Sequence, residues 1–92
     1  MELERDVERR LVQLVEKAGG ICLKHGVDGW PDRIVMLPGG TLVWVELKRR
    51  TGVQADLQKY RAAELAKVGQ RVVTLWSVSD VNEFMIEELG EE

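Results

Sequence analysis

Apolar positions along the chain recur first at helical spacing, then at strand spacing, and then alternate between the two once more. Leu3, Val7, Leu11, Leu14, Val15 and Ala18 lie three and four residues apart, which predicts an amphipathic helix from Glu2 to about Ala18. Gly19-Gly20 follows, where a helix C-terminus favours glycine. Ile21 to Lys24 predicts a short strand. Arg33 to Leu37 predicts a second, on the run Ile34-Val35-Met36-Leu37, and Leu42 to Lys48 a third, rich in strand formers. Pro38-Gly39-Gly40 between them is turn chemistry, so these two strands form a hairpin. Gln54 to Val68 predicts a second helix with Leu57, Leu65 and Val68 inward. Arg71 to Trp76 predicts a fourth strand. Ser79 is placed to cap a last helix from Asp80 to about Leu89. The order is α-β-β-β-α-β-α, an α/β fold with a mixed sheet flanked by helices. The crossover through the second helix makes the third and fourth strands parallel neighbours.

Alternation along the third strand puts Leu42, Trp44, Glu46 and Lys48 on one face and Val43, Val45 and Leu47 on the other. Apolar residues on both faces mark a central, covered strand. Pro31 lacks an N–H and marks the entry to the hairpin, with Asp32 next in line. The start of one hairpin strand lies beside the end of the other, so the turn brings Asp32 to Glu46 and Lys48. Glu4 and Glu8 fall within or beside the apolar stripe of the first helix, where a carboxylate is costly unless paired or bound. Glu8 lies deeper in the helix and is the stronger site candidate. Glu4 is nearer the end, where water can reach it. Gln58 and Arg61 project near the inward side of the second helix. Trp30 serves either packing or stacking, and core packing is expected of Trp44 and Trp76.

Composition narrows the class. With 45% hydrophobic and 32% charged residues, the 92-residue chain reads as one folded domain spanning residues 1–92. It has no apolar run long enough to span a bilayer and no signal-peptide pattern, so a membrane role is not expected. Its single cysteine, Cys22, lies in an apolar run and fits a cytoplasmic setting. The net charge of −3 is not that of a nucleic-acid binder, but residues 83–92 hold five Glu and no base. The rest of the chain is net positive, and its bases gather around the Asp32–Lys48 stretch, among them Lys24, His25, Arg33, Arg49, Arg50, Lys59 and Arg61. Lys24, Arg33, Arg49 and Arg50 are the candidate DNA-binding positions.

Two carboxylates and a lysine suit metal-assisted phosphodiester hydrolysis. Mg²⁺ is a hard ion that takes oxygen ligands, and Asp32, Glu46 and the backbone carbonyl of Leu47 can each supply one. Such an ion polarises a phosphate and acidifies a bound water. The Lys48 ammonium would steady developing negative charge. Glu8 would orient a water or a second ion, and Gln58 would hold the water or the lysine. Each piece taken alone is common, and a Glu-x-Lys pair is usually a surface ion pair. The combination carries the signal.

That combination resembles a known family. Gly29-x-Pro31-Asp32, Leu37-Pro38-Gly39-Gly40, Val45-Glu46-Leu47-Lys48 and Leu57-Gln58, with Glu4-x-x-Val7-Glu8-x-x-Leu11 ahead of them, are similar to the VRR-NUC domain (virus-type replication-repair nuclease) of the PD-(D/E)XK nuclease superfamily. The likeness covers nearly the whole chain and is of the stand-alone, phage type. It implies a restriction-endonuclease-like αβββαβ core with a C-terminal helix, and an endonuclease dependent on Mg²⁺ or Mn²⁺. It implies catalytic and metal roles for Asp32, Glu46 and Lys48, support from Gln58, and a first-helix glutamate, Glu8, with Glu4 as the alternative. Stand-alone members resemble Holliday-junction resolvases, which implies a homodimer acting on branched DNA. The rival expectation is a non-catalytic module that binds DNA or a protein.

Overall fold

The computed structural model describes residues 2–48 and 56–90. Its elements are α1 (Glu4–Lys17), β1 (Ile21–Lys24), β2 (Arg33–Leu37), β3 (Thr41–Leu47), α2 (Asp56–Lys67), β4 (Arg71–Leu75) and α3 (Val78–Leu89). The strands form one sheet in the order β1-β2-β3-β4. The β1–β2 and β2–β3 pairs are antiparallel, and β3–β4 is parallel. This is the mixed sheet and the element order that the apolar pattern predicts.

Register decides which side chains share a face. Val35 pairs with Val43, Val45 with Val73 and Leu47 with Leu75. These residues meet Val7, Leu11 and Val15 of α1 and Val81, Phe84 and Met85 of α3 in one core. The other face carries Ile34 opposite Trp44, then Val72 and Thr74 of β4 beside Trp44 and Glu46. The α2 helix packs against β4 and reaches this second face through Arg61, which lies against Trp30. Part of the face stays open, and Ile21, Leu23 and Leu42 are exposed there.

Three sequence expectations are corrected. The last helix is capped by Ser77, not Ser79: the Ser77 side chain accepts a hydrogen bond from the Asp80 N–H at 3.0 Å, while the Asp80 carboxylate accepts from the Trp76 N–H at 2.9 Å. Two serines stand two residues apart, but only Ser77 has its hydroxyl three positions ahead of a free helical N–H, the N-cap arrangement. The expected inward side of the second helix holds only at Leu65. Leu57 is 46% exposed and Val68 is 73% exposed. The helix lies over one margin of the sheet, and Val68 falls beyond its end. Residue Gln54, the expected start of that helix, lies outside the described residues. Trp76 is exposed and follows β4 rather than ending it, and Trp44 is half-buried on the second face, so neither joins the core.

The first helix begins at Glu4 because Leu3 donates its N–H to the Asp6 carboxylate at 2.9 Å, closing the free end. Glu2 is turned away and accepts from the Val78 N–H at 3.1 Å, tying the α1 entry to the start of α3.

Candidate active site

The site is built where β2 begins and β3 ends. Gly29 turns the chain with φ +82°, a conformation open to glycine and strained for other residues. A Cβ on Gly29 would also fall onto the Leu57 side chain, so this glycine lets α2 close over the loop. Pro31 follows, fully buried. The Asp32 carbonyl accepts from the His25 N–H at 2.8 Å, which fixes the loop to the end of β1. Asp32 then turns its carboxylate across the hairpin, where Oδ2 accepts from the Leu47 N–H at 2.8 Å.

Two consequences follow from that bond. The N–H and C=O of one strand residue leave by the same edge, so the Leu47 carbonyl faces the Asp32 side. Lys48 takes the opposite edge, donating its N–H to the Leu75 carbonyl at 3.0 Å. Its ammonium donates to Gln58 Oε1 on α2 at 2.5 Å. Asp32, Glu46, Leu47, Lys48 and Gln58 therefore meet at one end of the sheet.

Glu46 is the unusual member. It is 2% exposed, the only polar or charged side chain among the buried residues described. Its Oε1 has no hydrogen-bond partner among the described residues. Burial pushes its carboxyl up to about 8, aided by a hydrogen bond to Asp32 and by repulsion from the Asp32 charge. The Lys48 ammonium opposes this in part, and the Glu4 charge adds to it. An unpartnered, buried carboxylate oxygen beside a second carboxylate fits a hard cation. The donor set available is Asp32, Glu46 and the Leu47 carbonyl. Among the described residues no three His, Cys, Asp or Glu side chains gather at ligand spacing, so water would complete the shell, as Mg²⁺ permits.

The remaining candidates are placed differently. Glu8 forms an ion pair with Arg33, Oε2 to Nε at 2.8 Å. Arg33 also donates to the Cys22 carbonyl at 3.0 Å. Both of its contacts are internal. Lys24 is exposed on β1, directly opposite Arg33 in register. Arg49 and Arg50 lie outside the described residues.

Sequence reasoning left Trp30 undecided and missed its neighbours. His25, Trp30 and Trp44 form a three-ring cluster, with centroids 5.3 Å apart for His25–Trp44, 5.9 Å for Trp30–Trp44 and 6.0 Å for His25–Trp30. The Arg61 guanidinium lies 5.1 Å from the Trp30 centroid and 5.3 Å from that of Tyr60. The signal available in sequence was Trp44, two residues before Glu46 on the same strand face.

Comparison with known proteins places the chain as a whole. No family model matches the chain. A curated relative, "Putative nuclease p44" of Acyrthosiphon pisum secondary endosymbiont phage 1, is 37% identical over 75 residues, covering 78% of this chain and 81% of that protein. A solved structure described as "VRR_NUC domain" superposes with a TM-score of 0.79 at 27% identity, covering 92% of this chain and 94% of its own.

Proposed function

Since the chain belongs to the VRR-NUC nuclease family, we propose that it is a metal-dependent endonuclease that cuts DNA phosphodiesters at the Asp32–Glu46–Lys48 site. The observation that carries this is Glu46, a buried carboxylate with one oxygen unpartnered among the described residues, set against Asp32 and beside a lysine. Asp32, Glu46 and the Leu47 carbonyl would hold Mg²⁺ or Mn²⁺. The ion would polarise the phosphate and acidify a water.

The chain's own residues do the rest. The Leu47 N–H fixes the Asp32 carboxylate through Oδ2, and its second oxygen would face the ion beside Glu46. Gln58 holds the Lys48 ammonium at the end of β3, where it offers its other protons to charge growing on the phosphate. The first helix adds a carboxylate at the mouth. The Glu4 charge bears on Glu46, while Glu8 holds Arg33 beside Asp32 and keeps the start of β2 in place. We assign the outer carboxylate role to Glu4 and the positioning role to Glu8. Glu4→Gln would then lower turnover about tenfold or more, and Glu8→Gln would act mainly through stability.

The substrate class we propose is branched DNA, bound by a homodimer through the bases around the site, Lys24, Arg49 and Arg50 among them. A chain of 10.4 kDa offers little surface to a junction, and two-fold symmetry matches two equivalent strands. Residues 1–92 form a single nuclease domain in this proposal, working in the cytoplasm of an infected or phage-carrying cell. No helix among the described residues is long and apolar enough to cross a membrane. The test is incubation with labelled linear, flap and four-way DNA in Mg²⁺, Mn²⁺ or EDTA, with Asp32→Ala and Lys48→Ala alongside. Metal-dependent cleavage that favours the branched substrates is expected. Binding without cleavage in every metal would leave only a DNA-binding module.

A further inference from the structure

The aromatic cluster beside the acid pair is not used by the chemistry above. It has a place of its own: Trp30 stands two residues before Asp32, Trp44 two residues before Glu46, and Arg61 three residues after Gln58. Two residues along a strand span about 7 Å, a distance that one nucleotide can bridge. The chain has three Trp and one Tyr, and two of the Trp and the Tyr gather here around one guanidinium.

The cluster faces outward as well as inward. Tyr60 is 57% exposed, and Trp30, Trp44, His25 and Arg61 are half-buried. Large aromatic rings in a folding core are covered, and these are outside the core. Nor is the cluster satisfied within itself: Trp44 Nε1 and Arg61 Nε, both shut off from water, have no hydrogen-bond partner among the described residues. Leaving such donors unmet is costly. Arg61 is anchored elsewhere, through Nη1 to Glu64 at 2.6 Å, so its plane is held against the rings.

Partly exposed flat faces and a guanidinium held over them suit a nucleobase, which stacks on rings and beneath a cation. A base in a continuous duplex has both faces covered by its neighbours and cannot present one to a side chain. We propose that the His25–Trp30–Trp44–Arg61–Tyr60 cluster is a stacking subsite for one unpaired base next to the phosphate that is cut. This rests on the nuclease proposal for its ligand class and narrows the substrate to DNA with an unpaired nucleotide at the site, as at a flap, gap or branch point.

The experiment measures binding apart from cleavage. A fluorescein-labelled single strand of thymidylates and the same sugar-phosphate chain without bases are titrated with protein in EDTA, and anisotropy gives each Kd. The base-bearing strand is expected to bind about tenfold tighter. Tyr60→Ala removes about tenfold from that strand alone, Tyr60→Phe restores it, and circular dichroism checks the fold of each variant. Equal affinity for the two chains, no measurable binding of the base-bearing strand, or a Tyr60→Ala loss shared by both chains would overturn the proposal. Cleavage in Mg²⁺ is scored separately. Base-dependent binding without cleavage would sink the nuclease proposal and keep the subsite, and cleavage with base-blind binding would do the reverse.

Discussion

At the scale of single residues, Glu46 has the clearest physical signature. Its carboxyl ionises near 8 in the folded protein, against 4.5 ordinarily. Between those values the folded chain holds a proton that the unfolded chain has released. Folding is then favoured by protons, so the metal-free protein loses stability as pH rises from about 4.5 to 8. Denaturant unfolding in EDTA at several pH values checks this, and Glu46→Gln, which cannot ionise, is expected to flatten that part of the curve. A curve unchanged by Glu46→Gln would contradict the assignment. Gly29 gives a second residue-scale prediction. Gly29→Ala meets both an unfavourable φ and the Leu57 side chain, and is expected to cost about 1–3 kcal/mol of unfolding free energy. Residue identity revealed the Asp32, Glu46 and Lys48 candidates because carboxylates and a lysine on an otherwise apolar hairpin are conspicuous. It did not reveal that Glu8 is taken by Arg33, because that depends on where α1 lies across the sheet.

At the scale of elements, the hairpin was legible and the helix ends were less so. Pro31, the Pro38-Gly39-Gly40 turn and the apolar alternation leave β2 and β3 one pairing, and the register follows it with Val35 opposite Val43. The second helix was harder. Its weak apolar stripe misplaced Leu57 and Val68, because α2 is seated by packing on β4 and by contact with Gly29 and Trp30 from a distant loop, neither of which the stripe encodes. The two serines before α3 permit a sharp comparison. Ser77→Ala should cost about 1 kcal/mol by removing the cap on Asp80, and Ser79→Ala, exposed and uncapping nothing, should stay within about 0.5 kcal/mol. Thermal or urea unfolding of the two variants decides it, and equal losses would contradict the cap.

At the scale of the whole molecule, one sheet serves two purposes by using its two faces differently. The core face takes α1 and α3 and holds the fold together. The second face carries Glu46, the aromatic cluster and, further out, the exposed Ile21, Leu23 and Leu42. Apolar exposure on that face accords with the proposed pairing of two copies, and a solution mass of roughly twice 10.4 kDa is expected by light scattering. A mass of one chain at all concentrations would count against the dimer. The architecture was readable from apolar periodicity because one buried face imposes a period of two on its strands. The same alternation gave the second face of β3, with Leu42, Trp44 and Glu46 together; the ring cluster on it was not readable, since His25 and Trp30 lie in loops outside the strand period.

Cleavage of four-way DNA in Mg²⁺ or Mn²⁺ by the intact chain, compared with Asp32→Ala under the same conditions, tests the central claim most directly. Loss of the Asp32 carboxylate, with the fold intact by circular dichroism, is expected to lower the rate at least about a thousandfold. Cleavage by Asp32→Ala at the rate of the unaltered protein would contradict it.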